Sequence, residues 1–217
     1  MLKACHQPNF FLTLSCALAT LAAWPVVAVC QAPVHEPRFV IGLRGGEFRV
    51  SLDRFEEVYG SRWGLCYGSD ASLRVWGNVY AFAGGRFFQT DGGRQVSPHS
   101  ADQPTEARWR EQWLLVGIRR WSFGERRWSS AVGLGYAFFW VQENPERAAL
   151  RVPAGGGGEQ SGRGFFLSVS LDYSLRQWLG VSAEVEVTSA GVGGRTGFEG
   201  SSIGGFFFSL GMNLRPL

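Results

Sequence analysis

After residue 34 the sequence lacks any apolar run long enough to form a membrane-spanning helix, which needs about 18 or more nearly uninterrupted apolar residues. The same region also lacks a long helical period of apolar residues. A helical membrane protein and an α-helical domain are therefore both disfavoured for most of the chain.

Charge is nearly absent from the first 30 residues, where Lys3 precedes an apolar run over residues 10–29. A basic start followed by an apolar segment is typical of a secretory signal peptide. We predict cleavage near Cys30, because Pro25 and the small residues after it favour a cleaved signal over an uncleaved anchor. A lipoprotein acylated at Cys30 is a further alternative. Each of these alternatives predicts that the chain is exported from the cytoplasm.

Cysteine and lysine are scarce beyond the predicted signal. Cys66 is then the sole cysteine, which excludes an intramolecular disulfide. Lys3 is the sole lysine of the chain, so 20 arginines face 18 acidic residues in the mature protein, a net formal charge of +2. A nucleic-acid-binding protein would carry a denser, one-sided basic surface. We therefore predict no nucleic-acid partner.

Glycine and aromatic residues are abundant, with 30 Gly, 17 Phe and 9 Trp in the chain, and the pattern that recurs has a period of two. In residues 165–175, for example, Leu167, Val169 and Leu171 alternate with Ser168, Ser170 and Asp172. Such alternation indicates a strand with one apolar and one polar face. We predict eight strands, at residues 39–50, 63–75, 79–90, 108–121, 131–142, 165–175, 178–188 and 206–214.

Two of these strands have a less regular pattern. In the first, Gly45-Gly46 interrupts the alternation, and a β-bulge at the glycines is one explanation. In the third, Tyr80 and Phe82 leave the assignment of faces open. The connections nevertheless alternate in length: they are short near residues 77–78, 124–127 and 176–177, and long at 52–62, 91–106, 143–163 and 189–200. Short turns at one rim and long loops at the other are typical of an outer-membrane barrel.

Face chemistry distinguishes a membrane barrel from a soluble one such as a lipocalin, whose apolar face points inward. A barrel of eight strands has an interior only wide enough for side chains, so we assign the small and charged face to the interior. Large residues such as Tyr136 and Trp140 then face lipid. A charge on the lipid face costs about 2–4 kcal/mol at mid-depth, so we predict that strand charges point inward. The predicted interior charges are Arg44, Asp70, Arg74, Arg86, Glu111, Arg119, Asp172, Glu184 and Glu186.

The strand order and loop alternation over residues 37–217 resemble the small eight-stranded outer-membrane barrel families, which include the OmpA transmembrane domain, OmpX and OmpW. Residues 55–60, with Phe55, Val58, Tyr59 and Gly60, look like a stretch found before the second strand in such barrels. The last strand is similar to the C-terminal signal read by the barrel-assembly machinery, with Gly211 and Leu214 as the matching residues. It departs from that pattern because the chain ends in Leu217 rather than an aromatic residue.

The resemblance implies an all-β, eight-stranded, antiparallel up-and-down transmembrane barrel in the cell outer membrane. The predicted organisation is a signal peptide at 1–30, a short periplasmic segment at 31–37 and the barrel at 38–217. The implied partners are outer-membrane lipid, lipopolysaccharide and, during biogenesis, the barrel-assembly machinery. We expect a monomer.

Chemistry-bearing motifs are weak. His99-Ser100 with Asp102 invites comparison with a catalytic triad, but three neighbours in a polar loop are more simply solvated. The glycine-rich segments at 155–158 and 191–197 lack the Gly-Lys-Ser/Thr ending of a phosphate loop, and no Cys/His spacing suggests a metal. We therefore predict no catalytic residues, metal or cofactor. The favoured function is a non-enzymatic structural or surface-interaction role in the envelope. The alternatives are a narrow pore for ions or small apolar molecules and, third, an enzyme that modifies envelope lipid.

Overall fold

A computed structural model describes residues 36–52, 55–93, 106–124, 127–143, 159–192 and 202–216. The predicted signal peptide, the histidines and much of the long connections lie outside these residues. Of the described residues, none forms a helix long and apolar enough to cross a membrane. The elements are β1 (Phe39–Val50), α1 (Phe55–Tyr59), β2 (Trp63–Trp76), β3 (Val79–Gly93), β4 (Glu106–Phe123), β5 (Trp128–Glu143), β6 (Glu159–Arg176), β7 (Leu179–Val192), β8 (Ser202–Ile203) and β9 (Gly205–Leu214).

The strands form one closed antiparallel sheet. Each strand from β1 to β7 pairs with the next, and β9 closes the circle by pairing with both β7 and β1. The short β8 pairs with the end of β7 and is separated from β9 by Gly204, whose φ is +102°. Together β8 and β9 occupy one place in the barrel, so the predicted eight-stranded up-and-down topology is confirmed.

The predicted bulge at Gly45-Gly46 is wrong. The register of β1 with β2 runs without a shift from Phe39 opposite Leu73 to Arg49 opposite Trp63. Arg44 and Phe48 both face inward, so the alternation continues through the two glycines. The register shifts are in β2, between Arg74 and Trp76, and at the end of β6. Both lie beside a short turn, where the hairpin needs extra twist.

The two faces of the barrel differ in chemistry in the way the sequence predicts. The outer face exposes large apolar side chains, such as Leu65, Leu210 and Tyr136, which is 59% exposed. The inner face buries eight of the nine predicted interior charges together with Tyr80 and Phe82, so both of these aromatic residues point inward. Other strand charges, such as Glu47 and Arg120, are exposed on the outer face. A soluble barrel has the opposite arrangement, since water meets its outer wall. This wall therefore has the face chemistry of a barrel embedded in lipid.

A single helical turn, α1, follows β1 at the rim of the long connections. Its first and last residues, Phe55 and Tyr59, are one turn apart and both buried, with ring centroids 4.4 Å apart. Gly60 ends the turn: its N–H donates to the carbonyl of Glu56 (2.9 Å) and its φ is +75°. A left-handed glycine is a common helix C-terminus, which accounts for the Phe55–Gly60 spacing in the sequence.

Candidate functional site

Six charged side chains meet in the middle of the barrel interior, and we call them the ionic cluster. They are contributed by β1, β2, β3, β4 and β7. Each of the six side chains is no more than 1% exposed. The cluster consists of Arg44, Asp70, Arg86, Arg119, Glu184 and Glu186. Its three arginines and three carboxylates balance in formal charge.

Two carboxylates hold the ionic cluster together, because each contacts all three guanidinium groups. Nitrogen–oxygen distances from Asp70 are 3.3 Å to Arg44, 3.7 Å to Arg86 and 3.4 Å to Arg119. From Glu184 they are 3.6 Å, 3.4 Å and 3.1 Å to the same three residues. Glu186 contacts Arg86 at 2.9 Å. Ion pairs this deeply buried must be matched charge for charge, since an unpaired buried charge is costly.

Neutral groups complete the surroundings of the ionic cluster. The indole N–H of Trp113 donates to Glu186 (3.1 Å), and Arg44 donates to the hydroxyl of Ser182 (3.0 Å). The guanidinium carbon of Arg119 lies 4.1 Å from the ring centre of Phe82, a cation–π distance. Polar groups and a π face thus replace part of the water around these charges, while the Nε atoms of Arg86 and Arg119 have no hydrogen-bond partner among the described residues.

A second group of polar side chains, the lower cluster, lies nearer the short turns. Arg215 pairs with Asp172 and donates to Ser174 (2.6 Å). Ser129 donates to the same carboxylate at 3.4 Å. Asp172 is fully buried, so Arg215, just beyond the end of β9, supplies the charge that compensates it.

Asn213 joins the two clusters. Its side-chain oxygen accepts from Arg44 of the ionic cluster (2.8 Å), and its amide nitrogen donates to Asp172 of the lower cluster (2.5 Å). The residue is fully buried. The hydrogen-bonded network therefore extends without interruption from the middle of the barrel towards the short turns.

Aromatic side chains fill the interior on the other side of the ionic cluster, towards the long connections. The Phe48 ring centroid lies 5.1 Å from that of Phe88 and 4.7 Å from that of Trp113. Above them α1 covers the mouth, where Phe55 packs edge-on against Trp109 at 5.4 Å. Phe48, Phe88, Trp109 and Phe55 are all fully buried. We call this set, with Trp113, the aromatic layer.

Three of the nine predicted interior charges lie apart from the ionic cluster. Asp172 is in the lower cluster. Arg74 is at the short-turn rim, where its side chain is 31% exposed and pairs with Glu36 at 3.2 Å. Glu111 is fully buried in the aromatic layer and accepts a hydrogen bond from the indole N–H of Trp109 (3.2 Å). The expectation that Arg74 lies within the interior network is therefore not met, because it sits at the register shift beside a turn.

The sequence did not predict a role in the interior network for Arg215, Asn213 or Trp113. Arg215 lies beyond the predicted last strand, and the alternation that places Asn213 on the polar face gives it no partner. Gly211 and Leu214 of the predicted assembly signal lie on β9, opposite Arg44 and Ile41 of β1. Leu214 faces outward and is 37% exposed.

Several weaker sequence candidates lie beyond the described residues. They are His99-Ser100 with Asp102, residues 155–158 and most of 191–197. Cys66 is buried on the inner face and forms no disulfide. Within the part of the chain that the structure describes, no three His, Cys, Asp or Glu side chains are grouped to hold a metal ion.

No protein-family model matches the sequence, and no curated protein matches it at a significant level. Solved structures do match in fold. The crystal structure of neisserial surface protein A (NspA) has a TM-score of 0.57 at 9% identity, covering 82% of this chain and 97% of that one. Outer membrane protein OprG from Pseudomonas aeruginosa has a TM-score of 0.50 at 11% identity, covering 84% and 98%. The chain thus has the fold of small eight-stranded outer-membrane barrels.

Proposed function

We propose that this chain is an outer-membrane barrel with a closed interior, which acts in the cell envelope through its outer surface and long connections rather than by passing solutes. The observation that carries the proposal is the filling of the interior. The aromatic layer, the ionic cluster and the lower cluster follow one another along the barrel, and their main side chains are buried. The fold alone would also allow a channel.

The apolar outer surface of the barrel supports its placement in the outer membrane. Its outward residues are large and apolar on every strand from β5 to β7 and on β9, for example Leu134, Leu171, Val185 and Phe208. Water would be a poor solvent for such a surface, since apolar burial is worth roughly 25 cal/mol per Å². The export signal predicted from residues 1–30 is consistent with this location. We further propose that the barrel is monomeric, surrounded by membrane lipid and lipopolysaccharide, and inserted by the barrel-assembly machinery through β9.

A non-enzymatic role is supported by the state of four of the five interior carboxylates, Glu111 being the one without an arginine partner. Asp70, Glu184 and Glu186 are each engaged by arginine, and Asp172 is engaged by Arg215. A general acid or base needs a substrate within hydrogen-bonding reach, and these groups are enclosed by their own partners.

The second candidate is a narrow pore, which the charge of the interior favours. Arginines and carboxylates on facing strands could form an ion path if the contacts between them opened. In the structure, however, Glu184 contacts all three arginines at 3.1–3.6 Å, and these contacts would have to break before a path could open.

Planar-bilayer conductance of the purified barrel distinguishes these two functions. We expect a silent bilayer for the wild type, and also for Glu47→Ala, a matched control that removes a carboxylate from the exposed outward face of β1. Glu184→Ala removes the shared carboxylate, so it is the variant in which a leak is expected to appear. Steady openings in the wild type that change in size or ion selectivity in Glu184→Ala would establish the pore and overturn the closed barrel.

A further inference from the structure

The outer wall has a recess in two adjoining parts on β2–β5. The upper part, of about 280 Å³, is lined by Arg110, Gln112, Trp140 and Gln142. The lower part, of about 560 Å³, also has Gln112 and Trp140 in its lining, so the two parts are adjacent. Its remaining outward-facing lining residues are Tyr67, Ser69, Gly85, Phe87 and Leu114. A polar end thus adjoins a mainly apolar end on the outer wall of the barrel.

Arg110 gives the upper part its charge. Its guanidinium donates a long hydrogen bond to the side-chain oxygen of Gln89 (3.5 Å) and lies 5.9 Å from the ring centre of Phe87. Its buried Nε atom has no hydrogen-bond partner. Among the described residues no carboxylate pairs with it, whereas Arg108, on the same face of β4, pairs with Asp91 at 2.7 Å. The recess therefore presents an uncompensated cation with amide groups beside it.

Gly85 forms the floor of the lower part. A Cβ built at this position would meet nothing within 4 Å, so the space above it is open. Ser69 lies opposite Gly85 on β2 and Leu114 lies opposite it on β4. Tyr67, Phe87 and Trp140 line the same part. Their rings give the trough apolar surface against which a hydrocarbon chain can pack.

The position of the recess fits an amphiphile. Arg110 pairs in register with Gln89 and Gln142, near the ends of β3, β4 and β5 that lead into the long connections. In the proposed orientation this level is the outer headgroup region, and the trough below it reaches into the acyl layer. An uncompensated arginine at that depth attracts an anion, and its planar fork suits phosphate.

We propose that this recess binds one molecule of lipid A, the phosphorylated glycolipid of the outer leaflet. A glucosamine phosphate would sit against Arg110 with Gln112 and Gln142 as neutral hydrogen-bond partners, and one acyl chain would lie in the trough over Gly85. The inference rests on the membrane location and orientation proposed above, and it does not depend on whether the interior conducts.

The test is native mass spectrometry of the folded barrel in detergent micelles, titrated with lipid A, with phosphatidylglycerol and with phosphatidylcholine of similar chain length. Arg110→Gln removes the cation, and its matched control Arg120→Gln removes an exposed arginine from the same face of β4 at the opposite rim. Gly85→Leu fills the trough. Its matched control is Gly45→Leu, at an outward glycine of β1 that also has nothing within 4 Å and lines neither part of the recess. Faster gel migration of unboiled samples verifies that each variant is folded.

We expect the wild type to retain one lipid A, with affinity reduced about tenfold in Arg110→Gln, the size of one charge-assisted hydrogen bond. Gly85→Leu should weaken lipid A by a similar factor, and both controls should bind as the wild type does. Equal binding in Arg110→Gln and Arg120→Gln would overturn the site. Equal retention of phosphatidylglycerol, with the same dependence on Arg110, would overturn the assignment to lipid A. A conducting wild type would contradict the closed barrel alone and leave this result standing.

Discussion

Glu184 is one of the two carboxylates that contact all three arginines of the ionic cluster. It lies within 3.6 Å of guanidinium nitrogens from Arg44, Arg86 and Arg119, and it is almost fully buried. Replacing such a group differs from removing an exposed ion pair, because the arginines that remain cannot reach water. The cost of losing it is therefore set by the charges left behind.

We predict that Glu184→Gln lowers the free energy of unfolding by about 3–5 kcal/mol, the range found when one partner of a buried ion pair is removed. The control is Glu56→Gln, because Glu56 is 65% exposed and contacts Arg62 at 3.7 Å on the surface. That substitution should cost less than about 1 kcal/mol. Urea unfolding in micelles, followed by the shift in gel mobility, measures both. Equal midpoints for the two variants would mean that the ionic cluster does not stabilise the barrel.

The sequence predicts which charges face inward more readily than it predicts their partners. Alternation assigns Arg44, Asp70 and Glu184 to one face because the period of a strand is two. It does not give their height along the barrel, which depends on strand tilt and register. Asp70 and Glu184 lie on β2 and β7, which do not pair with each other, so their shared contacts arise only when the barrel closes. For the same reason the partnership of Asp172 with Arg215 is not visible in the sequence.

At the scale of elements, α1 is a turn of only five residues that packs at the mouth of the barrel. The position of α1 is fixed by Phe55 and Tyr59, whose rings pack on Trp109 with centroid distances of 5.4 Å and 6.1 Å. The turn ends at Gly60 in a left-handed conformation, which a side chain disfavours by roughly 1–2 kcal/mol.

We predict that Gly60→Ala destabilises the protein by about 1 kcal/mol, the cost of a left-handed alanine. A Cβ at Gly60 would meet no atom within 4 Å, so the cost is conformational and not steric. Gly45→Ala is the matched control, because Gly45 also has open space but lies in an extended strand without a positive φ. The difference between the urea midpoints of the two variants measures the effect of the left-handed conformation at Gly60 on stability. An unchanged midpoint in Gly60→Ala would show that α1 contributes nothing to stability.

The existence of each of the eight barrel strands is predictable from the sequence. The strand ends at Val50 and Trp63 also lie where predicted, whereas several other ends towards the long connections do not. The sixth strand begins at Glu159, six residues before its predicted start at Phe165, and the third extends to Gly93. The extra residues of the sixth strand include Gln160 and Arg163, whose polarity is typical of a loop. Hydrophobic alternation marks the part of a strand that faces lipid, and beyond that part backbone pairing continues without an apolar signal.

At the scale of the whole molecule, the barrel has a mainly apolar exterior and an ionic interior. We predict that the mature protein fractionates with outer membranes and migrates faster on a gel unboiled than boiled, because a closed sheet resists detergent until it is heated. The alternation of the two faces is predictable from the sequence, since it follows from the side-chain period of a strand and from composition. Recovery of the protein in the soluble periplasm, without a heat-dependent shift, would contradict the location.

The strands that form the ionic cluster contribute charges of different sign. β1 to β4 supply all three arginines and only Asp70, while β7 supplies Glu184 and Glu186. Until β9 joins β1 to β7, an open sheet would have a positive edge region and a negative one, each uncompensated. We predict that these opposite charges attract each other in the open sheet, and a closure shifted by one residue would turn the charges of one edge towards lipid. The residues that fill the finished barrel would then also favour its correct seam during assembly.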